Sequence, residues 1–192
     1  MTARTGMANN ILRLRGMANV GTADYTVAGA SYFTDDQLQE VLDANRTDLN
    51  RYPMTQVVEY EGGTAQYFEY RVPYRYFEEA ASGSAVWAVE DDDGDFAGTS
   101  SYSADYINGI VRFTADQLGT AYWLRGRSYN LNAAAADVWR RKMAWRAEFI
   151  SFSADDQSFS ANQWFTHCAQ MVEFYEGQGG MSVTFVSRSD LT

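Results

Sequence analysis

Hydrophobic positions near the start of the chain recur at intervals of three and four residues, the pattern of amphipathic helices. A stronger segment begins with a capping box at Thr34–Gln37. There the Thr34 hydroxyl can accept the Gln37 amide while the Gln37 side chain reaches back to the Thr34 amide. We therefore predict helices over residues 9–17 and 35–48.

The same periodicity returns in the last third of the chain and predicts two longer helices. The first covers residues 130–149 and includes the strongly helix-forming run Ala133–Ala136. The second follows another capping box at Ser160–Gln163, and it ends at Gly177 because glycine commonly terminates helices.

Between these helical parts the chain is rich in Val, Tyr, Phe and Thr, with glycines at short intervals, which predicts antiparallel strands. The clearest signals are two hairpins, one over residues 57–72 around Gly62-Gly63, and one over residues 106–113. Asn108-Gly109 in the second hairpin favours a two-residue type I′ turn. Further strands are predicted at residues 84–89 and 120–125.

The C-terminal segment follows a glycine-rich stretch and alternates apolar with polar residues, which predicts a strand. Its apolar positions are Met181, Val183 and Phe185. One strand cannot bury its own apolar face, so we expect residues 181–190 to pair with another chain by strand addition.

These elements together predict an α+β fold: a helical bundle body with an inserted antiparallel β-module and an extended C-terminal arm. We divide the chain into N-terminal bundle helices (1–53), the β-rich module (54–128), C-terminal bundle helices (129–178) and a docking arm (179–192).

Composition and charge then narrow the function classes. The 192 residues include 15 Lys+Arg against 25 Asp+Glu, a net charge of −10, which disfavours binding to nucleic-acid phosphates. One Cys and one His cannot form an internal disulfide or a structural zinc site. Apolar runs fall short of the roughly 18 residues that predict a membrane helix, so we expect no membrane partner.

Few side chains suggest catalytic or metal chemistry. His167 and Cys168 are adjacent on a predicted helix and point about 100° apart, so Cys168 is predicted to be a core residue. Glu78-Glu79 is interpreted as a solvated surface pair. The acidic run Asp91, Asp92, Asp93, Gly94, Asp95 resembles a calcium loop only superficially, because it lacks the EF-hand spacing; a surface turn is the better interpretation. We expect no enzymatic activity, no cofactor and no metal.

Several segments resemble the head–tail connector (adaptor, or head completion) proteins of tailed bacteriophages. The resemblance is sharpest in Tyr129–Lys142 and Phe152–Ser160. Tyr32–Leu38 resembles the start of the first long helix of that family, and Asp105–Phe113 resembles a β-hairpin of its longer members.

The resemblance implies a structural virion protein, made in the host cytoplasm and placed in the neck between portal and tail. Such adaptors form a homo-oligomeric ring, commonly of twelve copies, which extends the DNA channel and docks the next neck or tail protein. The C-terminal arm would then dock the portal or a neighbouring subunit through Met181, Val183 and Phe185. Asp91, Asp92 and Asp93 would line the channel or form a surface turn, and the net charge would let DNA pass without specific binding.

Two alternatives stay open. The chain is also compatible with another neck or tail-completion protein, such as a stopper. A soluble carbohydrate- or ligand-binding protein is supported by the aromatic-rich β-module.

Overall fold

The computed structural model describes residues 3–21, 25–27, 29–80, 86–150 and 158–179, and these residues form an α+β fold. The helices over these ranges are α1 (Ala8–Ala18), α2 (Asp35–Ala44), α3 (Leu131–Ile150) and α4 (Ser158–Gly179). The strands are β1 (Tyr25–Val27), β2 (Ala30–Tyr32), β3 (Arg46–Pro53), β4 (Thr55–Glu61), β5 (Thr64–Arg71), β6 (Trp87–Glu90), β7 (Tyr102–Asp105), β8 (Ile110–Phe113) and β9 (Trp123–Tyr129).

The capping box of α2 is confirmed. The Gln37 amide donates to Thr34 Oγ1 at 3.5 Å, and the Thr34 amide donates to Gln37 Oε1 at 3.0 Å. One face of the helix is fully buried through Leu38, Val41 and Leu42. Local sequence therefore determines where this helix begins and which way it faces.

The predicted end of α2 at Asp48 is wrong. The helix ends at Ala44, and Arg46–Pro53 forms β3. This strand pairs antiparallel with β9, which lies much later in the sequence. Asn45 marks the transition: its side chain donates to the Val41 carbonyl and to Asp137 on α3. Long-range strand pairing overrides the local helical pattern here.

Two antiparallel sheets carry most of the strands in the described part of the chain. The first has the order β3–β9–β6, and the second has the order β4–β5–β8–β7. The predicted hairpin around Gly62-Gly63 is confirmed as β4 and β5, and both glycines have positive φ, 58° and 87°. In addition, β1 pairs with β2 in a short hairpin.

The predicted two-residue turn at Asn108-Gly109 is wrong. Strand β7 ends at Asp105 and β8 begins at Ile110, so four residues form the loop. The Asp105 carboxylate accepts the amides of Ile107 and Asn108 at 3.0 and 3.1 Å, which holds the wider loop, and Gly109 alone in the loop has positive φ. The side chain of Asp105 thus supplies the bonds that a tighter turn would take from the backbone.

The remaining strand and helix predictions hold with shifted limits. The strand predicted at residues 84–89 corresponds to β6, and the strand predicted at 120–125 corresponds to β9. Helix α3 begins one residue after its cap Asn130, whose side chain accepts the Ala133 amide at 3.1 Å. Helix α4 begins at Ser158, two residues before the cap predicted at Ser160, and extends to Gly179.

Most buried apolar side chains of the described residues fall into two clusters. The helical cluster joins α1, α2 and α3 through Met7, Ile11, Leu14, Leu38, Leu42, Leu131 and Val138, among others. The β cluster joins both larger sheets through Tyr70, Phe77, Trp87, Val111, Phe113 and Leu124, among others. Strand β3 belongs to the sheet with β9 although it precedes the boundary predicted at residue 54, and the division into four parts stays a prediction.

Candidate functional site

A cavity of about 260 Å³ lies between the N-terminal end of α2 and helix α3. Its walls are mostly aromatic. The lining residues are Tyr32, Phe33, Gln37, Arg141 and Trp145. The Tyr32 and Trp145 rings lie 4.6 Å apart, tilted by 44°. The two rings pack on each other, so a cavity with this lining can accept a large apolar side chain against their aromatic surface.

Phe33 has an unusual backbone at this cavity. Its φ is +61°, in the left-handed region that bulky residues rarely adopt, and its side chain is 7% exposed. The strained conformation lets the chain leave β2, bury the Phe33 ring and start α2 two residues later, at Asp35. The strain is thus offset by the capping box and by burial of the ring.

The cavity has a cationic rim. Arg141 is exposed and contributes its side chain to the lining. The next residue, Lys142, is 3% exposed, donates to the Asn19 carbonyl at 3.2 Å and lies 5.9 Å from the ring of the lining residue Phe33. Among the described residues that line the cavity, one is a cation and none is a carboxylate, so the cavity favours a negatively charged partner group.

The acidic run predicted to be a surface turn connects β6 to the chain that leads into β7. Asp92 and Asp93 are exposed, and Asp91 is half-buried. The turn is closed by two bonds between its ends: the Asp91 amide donates to the Asp95 carbonyl at 3.0 Å, and the Asp95 amide donates to Asp91 Oδ1 at 2.9 Å. An exposed, closed turn is compatible with both predicted alternatives, a segment that lines a channel and a turn on the outer surface.

Phe96 directly follows the acidic turn and is 65% exposed. Its backbone is held in place, because Phe96 forms an antiparallel bridge with Glu90 and the Ala97 amide donates to the Val89 carbonyl at 2.8 Å. The turn therefore presents an aromatic ring to solvent from an ordered backbone. The sequence signal was an isolated aromatic residue after four aspartates, and we did not predict a role for it.

Arg51 organises the acidic turn and was also missed. A bulge in β3 between Leu49 and Tyr52 places Arg51 at φ +54°, and its guanidinium donates to the carbonyls of Asp91 and Asp92 at 3.4 and 3.0 Å. Arg51 also stacks over the Trp123 ring at 5.0 Å. No sequence pattern connects residue 51 to residue 91, because their proximity depends on the order of the strands.

A network of charges joins the N-terminal segment to both clusters. Arg4 binds both oxygens of Asp43 at 2.9 and 2.7 Å and reaches Glu78 at 2.8 Å. The Tyr129 hydroxyl donates to Glu78 at 2.7 Å. Glu78 is 3% exposed, so the interpretation of Glu78 as a solvated surface residue is wrong. A buried carboxylate needs such partners, and the network ties α2, β9 and the N-terminus together.

Ionisation in this network follows from its contacts. Burial raises the pKa of Tyr129, and the hydrogen bond to Glu78 and the charge of Glu78 add to this. Burial opposes ionisation of Asp43, yet the hydrogen bond and charge of Arg4 hold the Asp43 pKa below its ordinary value. The tyrosine therefore stays protonated as a donor while Asp43 stays charged as an acceptor.

The other predicted residues take the following places. Met181, Val183 and Phe185 lie outside the described residues, as does most of Phe152–Ser160. Cys168 is fully buried, which confirms its predicted core position. The ring of His167 packs edge-on against Trp139 at 5.5 Å.

Within the described ranges, no three or more His, Cys, Asp or Glu side chains are grouped so that they could hold a metal ion. Among the helices of those ranges, none combines the length and hydropathy needed to cross a membrane. Comparisons of the chain with protein-family models, with curated proteins and with solved structures found no match.

Proposed function

We propose that this chain is a head–tail adaptor of a tailed bacteriophage, a structural subunit without catalytic activity. In this proposal twelve copies form a ring in the neck of the virion, bind the portal on one side and a downstream neck or tail protein on the other, and surround the path of the DNA. Helices α1 to α4 form the bundle body, and the sheets form the inserted module that projects from the ring.

The observation that carries this proposal is the number of large apolar side chains exposed on ordered elements of both parts of the fold. They include Leu12 on α1, Tyr60 on β4, Phe96 and Leu118 in the β part, and Phe174 on α4. Isolated exposed apolar residues are ordinary, but contact surfaces on several elements are what a subunit with several partners needs. The net charge of −10 supports a surface that repels DNA rather than binding it.

The C-terminal arm is the proposed portal contact. Helix α4 ends at Gly179, and thirteen residues follow it, with apolar side chains at the alternate positions 181, 183 and 185. We propose that this alternation lets the segment bind by adding a strand to a sheet edge, where its backbone would give affinity and its alternate side chains specificity.

The test is sedimentation of the purified chain with portal rings from the phage that encodes it. Replacing Met181, Val183 and Phe185 together by serine should abolish co-sedimentation while leaving the circular dichroism spectrum unchanged. The matched control replaces Ser182 and Thr184 by alanine, on the opposite side of the same segment, and should bind like the original chain. Full binding by the triple variant would refute the arm as the portal contact.

The ligand-binding alternative receives less support. Five aromatic rings of the β part are buried in its core: Tyr70, Phe77, Trp87, Phe113 and Tyr122 are all 9% exposed or less. The rings of Tyr70, Phe113 and Tyr122 pack on one another with centroids 4.6–5.5 Å apart. Rings in such mutual contact stabilise the module and do not offer faces to a sugar. A tail-completion role instead would be recognised by binding to a tail protein without binding to the portal.

A further inference from the structure

We infer that neighbouring copies of this chain join by inserting Phe96 of one copy into the aromatic cavity of the next. This inference rests on the proposed function and deepens it, because it names the contact between ring subunits. The protruding surface is the acidic turn with Phe96, which we call the knob (residues 91–96). The receiving surface is the cavity lined by Tyr32, Phe33, Gln37, Arg141 and Trp145.

The knob is both exposed and ordered. The Phe96 side chain is 65% exposed, while the bridge to Glu90 and the bonds across the turn fix its backbone. Arg51 stabilises the turn by donating hydrogen bonds to the carbonyls of Asp91 and Asp92. An anchor that is already ordered loses little conformational freedom on binding, which favours association.

The cavity matches the knob in size and chemistry. Pockets for drug-sized ligands measure roughly 300–1,000 Å³, so a cavity of about 260 Å³ suits one large side chain better than a small molecule. The Tyr32 and Trp145 rings pack on each other, so a phenylalanine ring entering the cavity beside this pair could pack edge-to-face against it, an arrangement that aromatic rings prefer.

The charges of the two surfaces are complementary. Asp92 and Asp93 flank Phe96 on one copy, and Arg141 stands at the cavity rim of the other. Within the described residues no ion pair involves Asp92, Asp93 or Arg141, so no described side chain neutralises these charges. Opposite charges around an apolar anchor orient the two copies and oppose incorrect contacts.

The contact is heterologous because the two surfaces differ. The knob belongs to the β cluster side of the fold, and the cavity borders the helical cluster. Each copy therefore carries one knob and one cavity, and repeated head-to-tail contacts produce a closed ring or an open filament. A ring of identical subunits needs this type of contact.

Sedimentation velocity of the full chain over a concentration series tests the contact. Phe96→Ala removes the knob and Arg141→Glu reverses the rim charge; each should weaken self-association by roughly tenfold or more, as expected for a central interface anchor. Val58→Ala is the matched control, since Val58 is an apolar residue of the same part of the fold and its side chain is 42% exposed. It should associate like the original chain. All the replaced side chains are exposed, and circular dichroism verifies that the variants fold.

The decisive sample is an equal mixture of the Phe96→Ala and Arg141→Glu chains. The first keeps an intact cavity and the second keeps an intact knob, so the mixture should form dimers and nothing larger. A mixture that stays monomeric, variants that associate like the original chain, or an original chain that is monomeric at every concentration would each overturn the contact. Portal binding is measured separately, so failure of the knob contact and failure of the adaptor proposal give different results.

Discussion

At the scale of single residues, the contacts of Glu78 show how a buried charge is accommodated. The carboxylate is almost completely buried, and Arg4 and the Tyr129 hydroxyl lie within hydrogen-bond distance of it. Each partner comes from a different part of the chain, so the network can form only when the N-terminal segment, the chain before β6 and the end of β9 have all come together. The network therefore forms only in the native fold and stabilises it.

Tyr129→Phe tests the energetic importance of this network. The substitution keeps the ring but removes the donor to Glu78, and hydrogen bonds to charged groups contribute about 1.5–3 kcal/mol. We expect the free energy of unfolding in urea to fall by about this amount. Tyr60→Phe is the control, because the Tyr60 side chain is 76% exposed. Equal stability of the two variants would contradict a stabilising role for the network.

Tyrosine ionisation predicts a loss of stability in alkali. Burial raises the pKa of Tyr70 to about 12, with further contributions from Tyr122 and Asp116. Between the ordinary tyrosine pKa of about 10 and this value, the unfolded chain releases the proton and the folded chain keeps it. The stabilisation is complete below about pH 10 and is lost as the pH rises toward 12.

Tyr70→Phe checks this assignment. The variant loses the hydrogen bond from the Tyr70 hydroxyl to the Thr120 carbonyl, 2.8 Å long, so it should be less stable at neutral pH. Its further loss of stability between about pH 9 and pH 11 should, however, be smaller than that of the original chain. Urea midpoints at both pH values measure the difference. An identical alkaline decline in both chains would show that Tyr70 is not responsible.

At the scale of elements, the start of α2 could be predicted because its cause is local. Thr34 and Gln37 lie three residues apart, and their side chains bond each other's amides in the structure. The end of α2 could not be predicted, because β3 is stabilised by pairing with β9, more than 70 residues later. Local spacing predicts an element well where the bonds that hold it are themselves local.

The candidate site was less predictable than the fold for the same reason. Its acidic turn was visible as a run of aspartates, but the cavity forms only when the chain before α2 meets α3. Arg51 reaches the turn through a bulge and a positive φ, neither of which has a signature in an arginine. Sequence patterns thus revealed one half of the proposed contact and none of the other.

Alanine substitutions at two glycines with similar φ angles distinguish the cost of a steric clash from the cost of backbone strain. Gly109 has φ +66°, and a Cβ there would collide with the Tyr74 carbonyl oxygen; Gly62 has φ +58° with open space around it. Both alanine variants bear the strain of a left-handed backbone. We expect Gly109→Ala to reduce the free energy of unfolding by about 1–3 kcal/mol more than Gly62→Ala, because only Gly109 is enclosed. Equal losses, measured by thermal and urea unfolding, would contradict the close packing of this loop.

At the scale of the whole molecule, two separate clusters and a surplus of acidic residues suit a subunit that must be rigid yet have several contacts. The helical cluster borders the cavity and precedes the C-terminal arm, while the β cluster supports the knob. In the proposed ring these surfaces would face different neighbours. The acidic balance would then act on the proposed ring as a whole, since the charge of each chain would be repeated around the proposed DNA path.

The central claim, that this chain joins the head to the tail, is tested most directly by electron microscopy of particles assembled without it. The account predicts DNA-filled or leaking heads that lack tails, and recovery of tailed particles when the original chain is supplied. Normal tailed particles in the absence of the chain would contradict the account.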